Sequence, residues 1–521
     1  MRLANEMLHN NGHGYTGCNN AQECSWGQVR VADFMITMQW MLENHPSDED
    51  QILWASMAML QDLSQFKWEE WYEDGVYQKI VTEPSPDNPM FPFLHGVNVG
   101  QVLHRFMHND TLLQSAKNAV EGTFKYYGSP SGSVLADEIM RDNKPWMGSE
   151  LCTAVETGFS LSYLYQATGE NLYADMAERT YFNALPVQTS GDSWGHQYMD
   201  QPNQPFATYD HRWADAKLFT TANSGMATVC LLSPPDGLEP VYPCCTVNFP
   251  QGLPKSLTRS WATAGSDGIA HMLLGPSRVT TNIDGKAVTI HSVTNYPFHH
   301  TLNYDIQADV GFVLHVRIPQ WHIQADSTVR INDGAPNPLH SDPFTGMHQI
   351  PIQPGRTQIN ITIGAEPRVE WRKPTAVSVY IGNLLYALDV GSTNSTTQPH
   401  PYGTAGGPGM NYLPFPQARD FYYANTMAWN VAIDPATLVY RGLDPPDLVL
   451  DDLVFSYYGA VTSIEVQGCE IEWPLLAGLT PGEVPESPKC TSERRTFVLK
   501  PYGALKVHMS ELPIVHFGAG A

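Results

Sequence analysis

The chain changes its hydrophobic period about half-way along. Over 29–43, 51–66, 97–108 and 112–127, apolar residues recur at three- and four-residue spacing, the pattern of helices with one buried face. Two more such segments, 149–167 and 170–185, are split by a Thr168-Gly169 turn. Helix following helix with short breaks predicts a helical array or an αα barrel. The stretch 188–215, interrupted by Gly and Pro, is the longest loop candidate of this half, and long loops often line sites in enzymes.

Past residue 262 the period becomes two. Residues 288–293 alternate, and Asp284-Gly285 just before them is a hairpin turn. Further strands are expected at 312–318, 329–331, 357–363, 377–381 and 384–390, and the last at 496–499 and 504–509. A second Gly/Pro-rich loop, 400–416, interrupts this half. Many short strands at regular spacing indicate β-sandwich material. Helices first and strands afterwards mean separate domains, not an α/β fold. The expected division is a helical unit over 1–261, a β-sandwich over 262–370 and a second β-rich domain over 371–521. A length of 521 residues is too great for one core, which agrees.

Charge narrows the partners. The 29 Lys and Arg against 53 Asp and Glu leave a formal charge of −24. Such a field repels phosphate backbones and anionic lipid heads, so nucleic acid and membrane surfaces are excluded as partners. A neutral sugar is compatible with it. The 13 Trp and 24 Tyr suit stacking on sugar rings, although a core position is the commoner outcome for any one of them. No run approaches the ~18 apolar residues that span a bilayer. The opening residues MRLANEMLHNNGHGYTGC lack an apolar signal core, so no export signal is visible. Sequons at Asn109, Asn360 and Asn394, with the acidic composition, nevertheless suggest an extracellular protein. Oligomeric state is not legible.

The eight cysteines sort into two kinds. Cys18 with Cys24, and Cys469 with Cys490, could each close a disulfide in an oxidising compartment. Cys230, in the apolar stretch MATVCLL, reads as a buried small hydrophobe. Cys244 and Cys245 are adjacent, and a vicinal disulfide is strained, so metal ligation explains them better. Cys152, flanked by Glu150 and Glu156, could complete a zinc set. Spacing favours Glu156, because residues four apart share a helix face. Glu150 would join only from a non-helical entry to the helix. Three buried thiols without metal remain an equal reading of the pattern alone.

Asp137-Glu138, Gly148-Ser149-Glu150-Leu151-Cys152, Tyr173-Ala174-Asp175 and Cys244-Cys245 with Asn248 follow one another in an order that resembles the β-L-arabinofuranosidase family, glycoside hydrolase family 127 and its relatives. The likeness continues in Tyr296-Pro297-Phe298, Arg317-Ile318-Pro319-x-Trp321 and Tyr502-Gly503, so it covers most of the chain. It implies a catalytic (α/α)6 barrel over 1–261, open to being incomplete at its N-terminal side because few helices precede His95, followed by β-sandwich domains. It also implies Zn2+ held by Glu150, Cys152, Cys244 and Cys245, with Glu150 in place of Glu156.

The resemblance further implies a retaining exo-glycosidase that releases terminal β-L-arabinofuranose or a similar sugar. Cys244 would be the nucleophile, in place of the usual second carboxylate, and Glu138 the acid/base. His95, Tyr198 and Gln204 would contact the sugar. The chain departs from the family at three points. Thr246-Val247-Asn248 stands where many relatives have Pro-Pro-Asn, 201–204 lacks a glutamate that some relatives carry, and the spacer between Glu138 and Glu150 is shorter. Two other classes stay open. One is a non-catalytic carbohydrate-binding or scaffold protein with a structural zinc. The other is an isomerase or epimerase, for which no suitably spaced pair of histidines argues.

Overall fold

The computed structural model describes residues 2–10, 31–63, 78, 102, 104–136, 147–208, 219–221, 244–398, 416–444, 448–476, 478 and 480–518. Helices occupy the first part and mainly antiparallel sheets the rest, as the change of period requires. Among the described residues the helices include α1 (Arg2–His9), α2 (Val31–Asn44), α3 (Asp50–Leu63), α4 (Asp110–Tyr127), α5 (Leu151–Thr168), α6 (Asn171–Arg179), α7 (Cys244–Asn248) and α8 (Gly252–Thr258).

Local chemistry sets their ends. The Asn109 side chain accepts the Thr111 N–H at 3.1 Å, capping α4, which buries Ala116, Ala119, Val120, Thr123 and Tyr127 on one face. Helix α5 is buried along nearly its whole length and stops at Gly169, whose φ of 75° lets its N–H reach the Tyr165 carbonyl. Gly158 in α5 faces the Tyr181 ring, which an added Cβ would meet at 2.8 Å. The segment 149–167 therefore begins differently from the sequence expectation. Ser149–Glu150 is a two-residue strand, and the helix starts only at Leu151. Segment 170–185 also departs, passing from α6 into a π-helical turn at Thr180–Ala184.

The middle region is a sandwich. A six-stranded sheet runs in the spatial order Asn337–Pro338, Ile323–Ile331, Gly355–Gly364, Thr301–Ala308, Lys286–Thr294, Ser277–Ile283. A four-stranded sheet runs Met347–Ile352, Phe312–Arg317, Gly268–His271, Trp261–Ala264. Alternate residues of both, such as Val288, Ile290, Leu302, Leu314, Val316 and Ile361, close one core between them. The Asp284-Gly285 turn is observed as read, with Ile283 paired to Lys286 and φ of 49° and 74°. One pairing was not foreseen: Phe312–Arg317 runs parallel to Gly268–His271.

A ten-stranded sheet built mainly from the last third carries a third core around Val377, Val379, Leu388, Val466 and Leu499. The Cys469–Cys490 disulfide forms beside it, whereas Cys18, Cys24 and Cys230 lie outside the described residues. Instead of one strand over 504–509, a 3-10 turn at Tyr502–Ala504 precedes a short strand, His508–Met509.

Helix α6 joins the helical part to both β parts. Arg317, fully buried, donates to Asp175 at 2.7 Å and to the Met272 carbonyl at 2.6 Å, and it pairs with Glu178. Glu178 also accepts from the Leu274 N–H, the Tyr296 hydroxyl and Asn383. Motifs that look unrelated in sequence, Tyr173-Ala174-Asp175, Tyr296-Pro297 and Arg317-Ile318-Pro319, thus meet in one buried polar joint.

Candidate metal centre and its supporting walls

Three short elements build the centre. Glu150 ends the strand β1 (Ser149–Glu150), which pairs with β2 (Met199–Asp200). Gly148 permits this approach, because a Cβ there would stand 2.4 Å from the Asp200 carbonyl oxygen. The Glu150 backbone is extended, with φ −66° and ψ 144°, and the Leu151 N–H donates to the Tyr198 carbonyl at 2.9 Å. Cys152 follows in the first turn of α5, and Cys245 comes from α7, 93 residues on.

Cys152 Sγ and Cys245 Sγ are 3.4 Å apart, and Cys245 Sγ is 3.6 Å from Glu150 Oε1. All three side chains are buried, and their donor atoms lie within 4.8 Å of one another. Two thiolates on a tetrahedral zinc would stand about 3.8 Å apart, and a thiolate and a carboxylate oxygen about 3.6 Å. The donor set and its spacing therefore fit a metal ion. Among the described residues this is the group with such a composition.

Glu156, which helix spacing alone favoured, is not part of it. Its carboxylate pairs with Lys255 of α8. The face argument failed because Glu150 is not helical: an extended residue just before the first turn turns its side chain toward Cys152, where a helical one would point elsewhere.

A second wall stands behind β2. Asp200 accepts from the Tyr502 hydroxyl and, at 3.4 Å, from Gln197. His508 Nε2 lies 3.0 Å from the Gln201 carbonyl and 3.6 Å from Asp200. Lys506 Nζ donates to the carbonyls of Pro186 and Gly503, both at 2.8 Å. Burial pushes Asp200 up to about 7, against the Tyr502 hydrogen bond and the Lys506 charge. Burial pushes Lys506 down to about 7, with Asp200 opposing it. The strand β3 (Asn203–Gln204) pairs with His508–Met509, so the end of the chain braces the segment opposite Glu150.

Residues 268–349 match the family model described as the GH127 β-L-arabinofuranosidase middle domain. By that match the middle of the chain is similar to glycoside hydrolase family 127.

The family so matched is one of β-L-arabinofuranosidases, and the likeness of this chain to it extends to the fold. Solved structures share its fold. A GH127 β-L-arabinofuranosidase from Geobacillus stearothermophilus T6 is 14% identical with a TM-score of 0.58, over 92% of this chain and 71% of that one. A structure titled glycoside hydrolase is 13% identical with a TM-score of 0.56, over 94% and 84%. A GH127 β-arabinofuranosidase is 13% identical with a TM-score of 0.55, over 96% and 79%. No curated protein matches the chain by sequence.

Of the residues expected at the site, the structure brings together Glu150, Cys152 and Cys245. Cys244 opens α7, its side chain lying outside the described residues, as do Glu138 and His95. Tyr198 and Gln204 are both buried on the loop that leads to and from β2. Gln204 donates to Gln197 and to the Lys506 carbonyl, both at 3.2 Å, and accepts the Gln201 N–H at 3.3 Å.

Sequence reading missed His196, Asp200, Lys506 and His508. Nothing in their spacing marks them, because Thr246 for His196, Tyr502 for Asp200, Gln201 for His508 and Pro186 for Lys506 lie 50 to 320 residues away. Burial holds His196 down at about 4, so its ring is neutral.

Proposed function

We propose that this chain is a zinc-dependent, retaining exo-glycosidase that releases terminal β-L-arabinofuranose or a closely similar sugar. The observation that carries the reading is the convergence of Glu150, Cys152 and Cys245 within 4.8 Å in a chain whose middle region matches the GH127 model. Glu150, Cys152, Cys244 and Cys245 would hold the zinc. When bound, the ion supplies the charge that keeps the thiols ionised at neutral pH.

Cys244 attacks the anomeric carbon, forming a C–S bond as the glycosidic C–O bond breaks. Glu138 gives its proton to the leaving oxygen. Glu138 then takes a proton from water, whose oxygen attacks the same carbon as the C–S bond breaks and the thiolate returns. Two displacements retain the configuration. His95, Tyr198 and Gln204 belong to the sugar side of this reading. The Tyr198 carbonyl bond to Leu151, one residue from Glu150, supports it for that loop.

The same reading takes 1–261 as the catalytic (α/α)6 barrel, 262–370 as a β-sandwich and 371–521 as a second β-rich domain. It takes the protein as extracellular, to which the Cys469–Cys490 disulfide lends support.

One observation favours a second reading, a structural zinc in a carbohydrate-binding scaffold: Glu150, Cys152 and Cys245 are all fully buried, as in closed structural sites. Incubation with an aryl β-L-arabinofuranoside separates the two. The enzyme releases the aryl group with retention, and Cys244→Ser and Glu138→Gln abolish or strongly slow the release. Undiminished turnover in both folded variants would overturn the assignment of roles.

A further inference from the structure

The five-residue helix α7 carries the thiol pair, yet so short a helix does not hold its own position in water. Something else must fix it. The loop before Tyr198 supplies that contact. Thr189 bridges His196 across a tight turn in which the Ser190 hydroxyl accepts the Gly195 N–H at 2.6 Å. In the same turn Asp192 accepts the Trp194 N–H at 3.1 Å, and Ser193 has a φ of 59°.

His196 leaves this turn almost fully buried, at 1% exposure. Its Nε2 stands 3.2 Å from the Thr246 hydroxyl, and its ring stacks on Phe249 at 4.9 Å and 22°. Thr246 is the residue directly after Cys245, and Phe249 directly follows α7. One imidazole therefore touches the thiol helix inside its length and just beyond its end. On the other side, His196 is two residues from Tyr198, whose carbonyl holds the start of α5 beside Glu150 and Cys152. The ring spans the two separately built halves of the centre.

We infer that His196 is a positioning residue: through Thr246 and Phe249 it sets α7 so that Cys245 meets Cys152 and Glu150. Ligand atoms must fall within a few tenths of an ångström for tight metal binding, and groups behind the ligands commonly govern affinity by 10- to 100-fold. The inference rests on reading the cluster as a metal centre. The hydroxyl of Thr246 is what the imidazole meets, and a residue without one could not make this contact.

The test compares His196→Phe, which keeps a ring for the stack and removes the hydrogen bond, with Thr246→Val and the double variant. Co2+ is titrated into the metal-free full chain and followed by its thiolate charge-transfer absorption, with unfolding curves for every variant. Each single variant should bind Co2+ about ten-fold more weakly, and the double variant no worse than either, because both remove one interaction. His196→Gln, which can still reach the Thr246 hydroxyl, should recover part of the loss. Unchanged affinity in the single variants, or losses that multiply in the double, would overturn the inference.

If the wild-type chain binds neither Co2+ nor Zn2+, the metal reading itself fails. The positioning claim is then read from iodoacetamide labelling of Cys245 in native protein. Labelling about ten-fold faster in His196→Phe supports it, on the same scale of effect, and equal rates sink it.

Discussion

Cys152 Sγ and Cys245 Sγ stand 3.4 Å apart although 93 residues separate them in the chain. That is far longer than a disulfide bond, ~2.05 Å, and close to the spacing of two ligands on one ion. Both thiols are fully buried next to a buried carboxylate, an arrangement whose charge a cation would balance.

Loss of either thiol should therefore empty the centre. Cys152→Ser and Cys245→Ser are each expected to retain well under half of the zinc bound by wild-type protein, measured by metal analysis after gel filtration. Chelator treatment should lower the wild-type melting temperature and leave that of Cys245→Ser nearly unchanged. Full metal content in both variants would count against the ligand set.

Gly148 tests the approach of β1 to β2. Gly148→Ala puts a methyl group 2.4 Å from the Asp200 carbonyl oxygen and 2.6 Å from the Met199 side chain, so the strands must separate. Overpacking of this kind costs about 1–3 kcal/mol. Denaturant unfolding should show that loss, together with weaker metal retention, because Glu150 moves with the strand. Wild-type stability would mean that the backbone relaxes without cost.

The joint at Arg317 should be the most sensitive position away from the centre. Arg317→Ala leaves Asp175 and Glu178 buried without their cation, a change that costs about 3–5 kcal/mol. Arg317→Lys should recover only part of it, because one ammonium cannot serve Asp175, Glu178 and the Met272 carbonyl at once. Thermal unfolding of the two variants decides this, and equal stability of Arg317→Ala and wild type would refute it.

Glu370 gives a pH signature. Burial alone would raise its pKa, but the Arg179 charge and paired hydrogen bonds at 2.7 and 2.8 Å, with help from Arg368, outweigh it and hold it at about 2 against an ordinary 4.5. A depressed carboxylate stabilises the fold above its unfolded value and loses that contribution as pH falls toward the folded one. Stability should therefore decline between pH 4.5 and 2. Glu370→Gln should flatten that decline and cost about 2 kcal/mol at pH 7, discounted for partial exposure. Urea titrations at pH 7, 4 and 3 measure both effects; parallel curves for the two proteins would remove Glu370 from the account.

The sequence by itself determined what depends on neighbours along the chain. The change of period from three-and-four to two separated helices from sheets, because burial of one face imposes that spacing. Asp284-Gly285 announced its hairpin, since both residues tolerate the positive φ that the turn needs. Adjacent Cys244 and Cys245 made metal ligation one of two equal readings of the pattern, because their direct bond would be strained.

Spacing favoured Glu156 and the family resemblance Glu150; only the tertiary structure supplies the physical reason that Glu150 stands beside the thiols. The deciding fact is the pairing of Ser149–Glu150 with Met199–Asp200, which keeps Glu150 extended and outside the helical face rule. Likewise no local pattern links Arg317 to Asp175 and Glu178, Tyr502 to Asp200, or His196 to Thr246. Buried polar groups must find partners wherever packing brings them, and sequence spacing carries no record of contacts made across sheets and between domains.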